Sequence, residues 1–379
     1  MANMEPLYPN PGGPVDPEDL VGRRDELQRT HEAVAHGGAY VTGERRMGKT
    51  SLLAKLESEL VAAGRTVLRI SAETSSPDVF AQRLVVELRK NHVLSPQVKR
   101  WEKEIEGSVG LAIGQTGFKL TGKAKRAADE PREIDVIELL ASACERDGAV
   151  LIVDEVTVLC SALGPDAALE LLRGLRAERQ GDQRIQLVLS GSIGLHHAVP
   201  DTQPINDLWR VEVGPLALPE AEELTQRLLL GIGMSCDGAM VADIVTVTSG
   251  VPFYIQAVVD RLRSQPTRPV ADIVERCIIE NEWHTQHYVK RVEDYYGRDS
   301  APVALALLDE FASASPSGLT IEQVQSRVGA SLDHAPSRDV LIDLLQKLEM
   351  DHYLIREGDV DRMSSPLLAT IWRVHRRLG

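Results

Sequence analysis

Cysteine and aromatic residues are scarce in this chain of 379 residues. There are four cysteines, and aromatic residues make up 4% of the sequence. The cysteines stand far apart and form no Cys-x-x-Cys pair, so the sequence indicates neither a zinc site nor a disulfide framework. We expect reduced thiols and a cytoplasmic location. The cysteines are Cys144, Cys160, Cys236 and Cys277.

Long apolar runs and an excess of basic residues are also lacking. No stretch approaches the roughly 18 uninterrupted apolar residues that suggest a membrane-spanning helix. The first residues have neither the basic start nor the apolar core of a signal peptide, and we expect no membrane association. The formal net charge is −14. Because an acidic surface repels the phosphate backbone, this charge disfavours general nucleic-acid binding.

Strand and helix patterns divide the chain into four predicted regions. Residues 1–19 are rich in Pro, Gly and Asp and predict an extended arm. Residues 20–216 alternate buried strands with helices, which predicts an α/β core with a mostly parallel sheet. Within it, residues 92–134 are predicted to be an insertion with a small hairpin. Residues 217–298 predict an all-α lid, and residues 299–379 predict a winged helix, three helices followed by a two-stranded wing.

The strongest motif is the run Gly43-Glu44-Arg45-Arg46-Met47-Gly48-Lys49-Thr50, which fits the pattern G-x-x-x-x-G-K-[ST] in full. It lies between a predicted strand and a predicted helix, the context that a phosphate-binding P-loop requires. Its glycines allow backbone N–H groups to surround phosphate oxygens, and the helix N-terminus attracts the same anion. We expect Lys49 to reach the β- and γ-phosphates and the Thr50 hydroxyl to bind Mg²⁺. Ser51, which follows directly, is included among the nucleotide-binding residues.

A second motif is the apolar run Val150-Leu151-Ile152-Val153, which ends in Asp154 and Glu155. Such a run is typical of a central strand that is buried on both faces. The strand would deliver two carboxylates to the carboxyl edge of the sheet, where open α/β sheets bind ligands. We expect Asp154 to hold Mg²⁺ through water, and Glu155 to orient or deprotonate the attacking water.

Two serines follow the next predicted buried strand, Leu187-Val188-Leu189. Ser190 and Ser192 are candidates for contact with the γ-phosphate or the attacking water, and Ser192 is the stronger candidate of the two. The alternative is simple turn chemistry, since serine and glycine favour turns in any protein.

Arginines near these motifs are more ambiguous. Arg210, at the start of a possible fifth strand, is a candidate arginine finger that stabilises charge on the transferred phosphoryl group, from its own chain or across a subunit interface. A plain surface arginine is the alternative. Arg45 and Arg46, although inside the P-loop, are expected to face solvent or another domain and not to act in catalysis.

The order of these motifs resembles that of the STAND-type and archaeal-type AAA ATPases, relatives of the origin-recognition initiator ATPases. The resemblance covers nearly the whole chain and extends to the C-terminal end of the predicted winged helix. The segments that carry it are Val21-Gly22-Arg23, the P-loop, Asp154-Glu155, Ser190-Gly191-Ser192, Gly250-Val251-Pro252, Met363-Ser364-Ser365-Pro366-Leu367-Leu368 and Ile371-Trp372-Arg373.

The resemblance implies ATP or ADP with Mg²⁺ as cofactors. It also implies that Val21, Gly22 and Arg23 line the adenine pocket and that Pro252, in the lid, closes over the nucleotide from the other side. Proteins of this kind act largely as nucleotide-controlled switches, which hold a closed ADP form and open or assemble with ATP. The lid has no clear second-sensor arginine, so we expect slow, regulatory hydrolysis.

Three functions remain open at this point. The first is a switch ATPase with a protein partner at the winged helix or lid and a possible nucleotide-dependent homo-oligomer. The second is a DNA-binding initiator-like ATPase, and the third is a nucleotide-stabilised scaffold with little turnover. The charges on the candidate recognition helix and wing oppose phosphate contact and favour a protein partner over DNA. These charges are Asp339, Asp343, Glu349, Glu357, Asp359 and Asp361, against Arg338, Lys347, Arg356 and Arg362.

Overall fold

The computed structural model describes residues 4–73, 76–90, 105–114, 117–124, 132–135, 149–180, 185–192, 195–199, 205–332 and 336–378. Its contacts group the chain into two compact units. We call Asp16–Val213 the core unit, and Met1–Val15 together with Gly214–Gly379 the C-terminal unit.

The described part of the core unit contains both a large sheet and a smaller one. Its strands are β1 (Gly38–Thr42), β2 (Val67–Ser71), β3 (Ile105–Gly114), β4 (Gly117–Ala124), β5 (Arg132–Asp135), β6 (Ala149–Asp154), β7 (Ile185–Gly191) and β8 (Trp209–Glu212). Its helices are α1 (Arg24–Ala35), α2 (Lys49–Ala62), α3 (Pro77–Lys90), α4 (Val156–Leu163), α5 (Pro165–Gln180) and α6 (Leu195–Ala198).

Five parallel strands form the large sheet, in the order β2-β6-β7-β1-β8. Every residue of β6 is buried, as its continuous apolar sequence predicts for a strand covered on both faces. Because parallel strands end at a common edge, the loops after β1, β6 and β7 begin close together. The register aligns Thr42 with Gly191 and Val153 with Leu189.

Apolar helix faces cover this sheet. On α2, Leu52, Leu53 and Leu56 have no exposed surface. A fully buried leucine contributes about 1.5–3 kcal/mol relative to an exposed one. These contacts anchor α2, so its N-terminus is fixed at the carboxyl end of β1.

The predicted insertion contains a second sheet, of three antiparallel strands in the order β3-β4-β5. The strands β3 and β4 pair as a hairpin in which Gly114 lies opposite Gly117. The strand β5 adds a third member, and it ends at Asp135, one residue beyond the predicted range of 92–134. The rest of that range lies outside the described residues.

The C-terminal unit is mainly helical in its described part. Its helices are α7 (Leu218–Gly231), α8 (Gly238–Thr248), α9 (Pro252–Ser264), α10 (Val270–Ile279), α11 (His287–Tyr295), α12 (Gly297–Ala314), α13 (Ile321–Ser331), α14 (Arg338–Met350) and α15 (Pro366–Arg376). Its strands are β9 (Leu319–Thr320), β10 (Leu354–Glu357) and β11 (Val360–Met363), which form an antiparallel sheet in the order β10-β11-β9. No helix in the described ranges is both long and apolar enough to cross a membrane.

The regions predicted as lid and winged helix share one unit because buried polar contacts join them. Asp351, at the end of α14, is almost fully buried, and its carboxylate accepts a hydrogen bond from the Tyr296 hydroxyl at 2.7 Å. The Tyr353 hydroxyl donates to the Tyr288 carbonyl at 2.6 Å. Breaking such contacts would leave buried polar groups without partners, at a cost of about 1–3 kcal/mol each.

The predicted arm, residues 1–19, is divided between the two units. Within the C-terminal unit, the Leu7 N–H donates to the Arg227 carbonyl at 2.9 Å. Within the core unit, Asp16 caps a short 3-10 helix, Pro17–Asp19, and Glu18 of that helix pairs with Lys55 of α2 at 2.9 Å. The core unit therefore begins at Asp16 and ends at Val213. The sequence patterns predicted a core that begins at residue 20 and ends at residue 216.

Candidate functional site

The P-loop starts with a glycine that no other residue can replace without strain. Gly43 has φ of +153°, and a Cβ at this position would lie 2.2 Å from the Val213 carbonyl oxygen, at the end of β8. Farther along the loop, Arg46 and Gly48 have φ of +71° and +89°. Left-handed residues alternating with right-handed ones turn successive N–H groups toward one side, which forms an anion-binding concavity.

Lys49 is held inside the curve of this loop. It is the first residue of α2, and only 4% of its surface is exposed. Its Nζ donates to the Gly43 carbonyl at 2.8 Å and to the Glu44 carbonyl at 2.9 Å. The ammonium and the helix N-terminus together create a positive potential that suits a phosphate.

Asp154 lies at the end of β6, and its carboxylate accepts hydrogen bonds from two hydroxyl groups. The Thr50 hydroxyl donates to Asp154 Oδ2 at 2.9 Å, although the two residues are 104 positions apart in the sequence. The Ser190 hydroxyl donates to Asp154 Oδ1. The Thr50 residue is exposed while Asp154 is buried. A hydroxyl and a carboxylate are oxygen ligands of the kind that Mg²⁺ prefers, so these two residues fit a magnesium site.

Glu155 has a strained backbone that directs its side chain to a different serine. Its φ and ψ are 57° and 43°, in the left-handed region, which costs a non-glycine residue about 1–3 kcal/mol. The Ser192 hydroxyl donates to Glu155 Oε2 at 2.9 Å, and the Ser192 N–H approaches the same oxygen at 3.3 Å. The Glu155 N–H donates to the Ser190 hydroxyl at 3.4 Å.

Each carboxylate is therefore held by one serine. The hydroxyls of Ser190 and Ser192 donate to Asp154 and Glu155. The contact of these serines with phosphate or water stays a prediction. Sequence reasoning missed the pairing of each serine with a carboxylate. The sequence could have predicted it, because the Asp-Glu and Ser-x-Ser segments follow two strands that were predicted to be buried and parallel.

Two hydroxyl residues that the sequence did not single out lie against Gly191, the residue between the two serines. A Cβ added at Gly191 would lie 2.5 Å from the Thr157 Oγ1 and 3.3 Å from the Tyr40 hydroxyl. Burial raises the pKa of the Tyr40 phenol to about 12, so the hydroxyl stays protonated at neutral pH. The glycine between the two serines thus allows both side chains to approach the backbone closely.

Arg23 contacts the P-loop from outside. Its guanidinium is buried, and Nη2 donates to the Met47 carbonyl at 2.8 Å. Its Nη1 bonds to Glu26 at 2.7 Å. Val21 is also buried, and Gly22 has a left-handed φ of 71°. The structure therefore brings the Val-Gly-Arg segment and the P-loop together within the core unit.

Two exposed arginines of the core unit and one proline of the C-terminal unit were also predicted as site residues. Arg210 is exposed and pairs with Tyr40 in the sheet, two residues before the end of β8. Among the hydrogen bonds of the described residues, none joins Arg210 to Asp154 or Glu155. Arg45 is exposed and pairs with Glu73 at 3.1 Å. Pro252 is the first residue of α9, in the C-terminal unit.

Comparison with known proteins agrees with this geometry. Residues 34–199 match the family described as an AAA domain, a range that includes the P-loop, both carboxylates and both serines. No curated protein matches the sequence significantly. The Val21–Arg23 segment and Arg210 lie outside the matched range.

Two solved structures share the fold at low sequence identity. The Walker-type ATPase of Pyrococcus abyssi superposes with a TM-score of 0.67 and 19% identity, over 94% of this chain and 97% of that chain. The ORC2 protein of Aeropyrum pernix, solved with ADPNP and ADP, gives a TM-score of 0.53 and 12% identity, over 100% and 97%. Together with the parallel sheet and the domain match, they confirm the predicted fold class: the core unit is a P-loop NTPase core of the AAA type, followed by a mostly helical remainder.

Proposed function

We propose that this protein binds ATP with Mg²⁺, hydrolyses it slowly, and uses its nucleotide state as a switch of the STAND and AAA type. The observation that carries the proposal is the convergence of Lys49, Thr50, Asp154 and Glu155 at one edge of the sheet. The Lys49 ammonium suits an anion, and the Thr50 hydroxyl suits a cation. The two carboxylates accept hydrogen bonds from hydroxyl groups, which fix their positions.

The residues divide the chemistry among themselves. The P-loop N–H groups and Lys49 would bind the β- and γ-phosphates. Thr50 directly, and Asp154 through water, would hold Mg²⁺, which when bound would neutralise charge on the phosphates. Glu155, oriented by Ser192, would accept a proton from the attacking water or align it. Arg210, exposed on an edge strand, is proposed as an arginine finger that acts within its own chain or across a subunit interface.

A contact in the C-terminal unit supports the switch. The Leu367 N–H, at the start of α15, donates to the Ser249 hydroxyl at 3.3 Å. Ser249 directly precedes the Gly250-Val251-Pro252 turn, which we propose to close over the nucleotide. Movement of this turn would therefore pull on α15, so the nucleotide state would reach the elements that we propose to act as a winged helix.

ATP hydrolysis by the purified protein, with its mass in solution recorded under ADP and ATP, tests the proposal. We expect slow release of phosphate and either assembly or a conformational change with ATP. Nucleotide binding without turnover and without any change would favour the alternative, a nucleotide-stabilised scaffold.

Ion pairs support a protein partner for the proposed winged helix. Four basic groups in its described part pair with nearby acids, which weakens their attraction for phosphate. These pairs are Arg338–Glu322 at 3.2 Å, Lys347–Asp343 at 2.7 Å, Arg362–Glu357 at 2.5 Å and Arg376–Asp309 at 2.8 Å. On α14 the exposed face also presents Val340 and Met350, which suit an apolar protein contact.

Duplex DNA is accordingly expected to bind no more tightly than the non-specific range of about 10⁻⁴–10⁻⁶ M at physiological salt. Fluorescence anisotropy with a labelled duplex, with and without ATP, measures this affinity. A titration at low salt serves as the control for probe and protein quality, because residual electrostatic binding strengthens there. Nanomolar binding at physiological salt would instead support the initiator-like alternative.

A further inference from the structure

The contact between Arg23 and the P-loop has a specific geometry. Arg23 has φ of +68° and precedes α1, so its backbone adopts a conformation that side-chain-bearing residues rarely take. Only 2% of the residue is exposed. Its planar guanidinium reaches two acceptors, the Met47 carbonyl at 2.8 Å and the Glu26 carboxylate at 2.7 Å. A lysine has a single ammonium and cannot match this fork.

The bond to Met47 fixes the direction of the next N–H group. The peptide between Met47 and Gly48 is trans, and in a trans peptide the C=O and the following N–H point in opposite directions. Because the Met47 carbonyl faces Arg23, the Gly48 N–H faces away from it. The left-handed residues Arg46 and Gly48 flank Met47, as expected for a concavity of N–H groups that receives a phosphate.

We infer that Arg23 is a positioning residue for the phosphate cradle: it locks the Met47–Gly48 peptide with the Gly48 N–H directed at the β-phosphate. This role differs from the adenine contact that the sequence resemblance implies for Arg23, and it rests on the proposed nucleotide binding. The Glu26 carboxylate offsets the buried charge and holds the guanidinium through Nη1 at 2.7 Å.

The positive charge of the guanidinium strengthens this lock. A guanidinium offers its N–H donors in a fixed fork and accepts no hydrogen bond. A hydrogen bond that involves a charged group contributes about 1.5–3 kcal/mol, more than a neutral one. Without it, the peptide is free to rotate and withdraw an N–H donor from the phosphate.

The test compares Arg23→Gln with Arg24→Gln, a matched control at the next residue, which is exposed. Affinities for ADP and for AMP are measured by competition with a fluorescent ADP analogue. We expect Arg23→Gln to weaken ADP about tenfold or more and to change AMP, which has no β-phosphate, by less than about twofold. We expect Arg24→Gln to leave both affinities within about twofold of the wild type.

Several outcomes would overturn the inference. Unchanged ADP affinity in Arg23→Gln would remove the positioning role, and an equal loss for ADP and AMP would assign Arg23 to the nucleoside instead. Thermal unfolding without nucleotide shows whether the variant folds. If it does not, Arg23→Lys, which keeps the charge, is expected to show the same selective loss for ADP. Failure of the wild type to bind ADP would refute the proposed function itself and is distinguishable from all of these results.

Discussion

Replacing Lys49 by alanine is expected to abolish measurable ATP binding. The ammonium is buried in the loop, and each of its charge-assisted bonds contributes about 1.5–3 kcal/mol. Loss of bonds to two phosphates therefore lowers affinity by about 10²–10⁴-fold. The substitution also removes the two bonds that tie the loop carbonyls of Gly43 and Glu44 together. Isothermal titration calorimetry with ATP and Mg²⁺ measures the change.

Lys55→Ala is the matched control for this experiment. Lys55 lies on the same helix, but it forms surface ion pairs with Glu18 and Glu59, at 2.9 Å and 3.7 Å. Exposed pairs contribute about 0–1 kcal/mol to stability, and this one is remote from the phosphate cradle. Its ATP affinity should stay within about twofold of the wild type. Equal affinity in wild type and Lys49→Ala would refute the P-loop assignment.

Replacing Glu155 by glutamine is expected to give the opposite pattern, with ATP retained and turnover lost. Glutamine has almost the same shape, but its amide cannot accept a proton from water. General base catalysis contributes about 10²–10⁴-fold, so we expect a fall of that size in kcat. Phosphate release under saturating ATP measures kcat, and the calorimetric affinity shows that binding persists.

Two variants make this result specific. Glu73→Gln makes the same chemical change at an exposed glutamate that pairs with Arg45, and it should leave kcat unchanged. Ser192→Ala removes the hydroxyl that holds Glu155 Oε2 and should lower kcat by a smaller factor, about tenfold, because the carboxylate remains but is less well oriented. The catalytic assignment of Glu155 is wrong if its glutamine variant hydrolyses ATP as fast as the wild type.

The sequence was sufficient for the parts of the fold that depend on local pattern. The apolar run that ends at Asp154 predicted a central strand, and the glycine spacing predicted the loop between β1 and α2. The third strand of the small sheet, Arg132–Asp135, was missed because four residues with mixed polarity carry little periodicity. The division of the N-terminal arm after Val15 depends on tertiary contacts, which composition does not encode.

The site shows the same limit. Residue types predicted Lys49 and both carboxylates as site residues, because the chemistry of these residues is tied to a motif. The partner of each hydroxyl depends on strand register, which sets Ser190 beside Asp154 across 36 residues. Arg23 was assigned from resemblance alone, and its bond to Met47 becomes visible only when the two segments are folded together.

Three hydroxyl groups donate hydrogen bonds to the two carboxylates at this edge of the sheet, so their protons point the same way, toward the carboxylates. The hydroxyls of Thr50, Ser190 and Ser192 each donate a hydrogen bond inward, to Asp154 or Glu155. The oxygen of Thr50, an exposed residue, keeps lone pairs that suit a cation, whereas Ser190 is fully buried and its oxygen accepts from the Glu155 N–H at 3.4 Å. Hydrogen-bond donors toward a phosphate come instead from the P-loop backbone N–H groups and Lys49. This edge of the sheet thus separates donors from acceptors: the P-loop backbone and Lys49 supply N–H groups for the proposed anion, and Thr50 and Asp154 supply oxygens for the proposed cation.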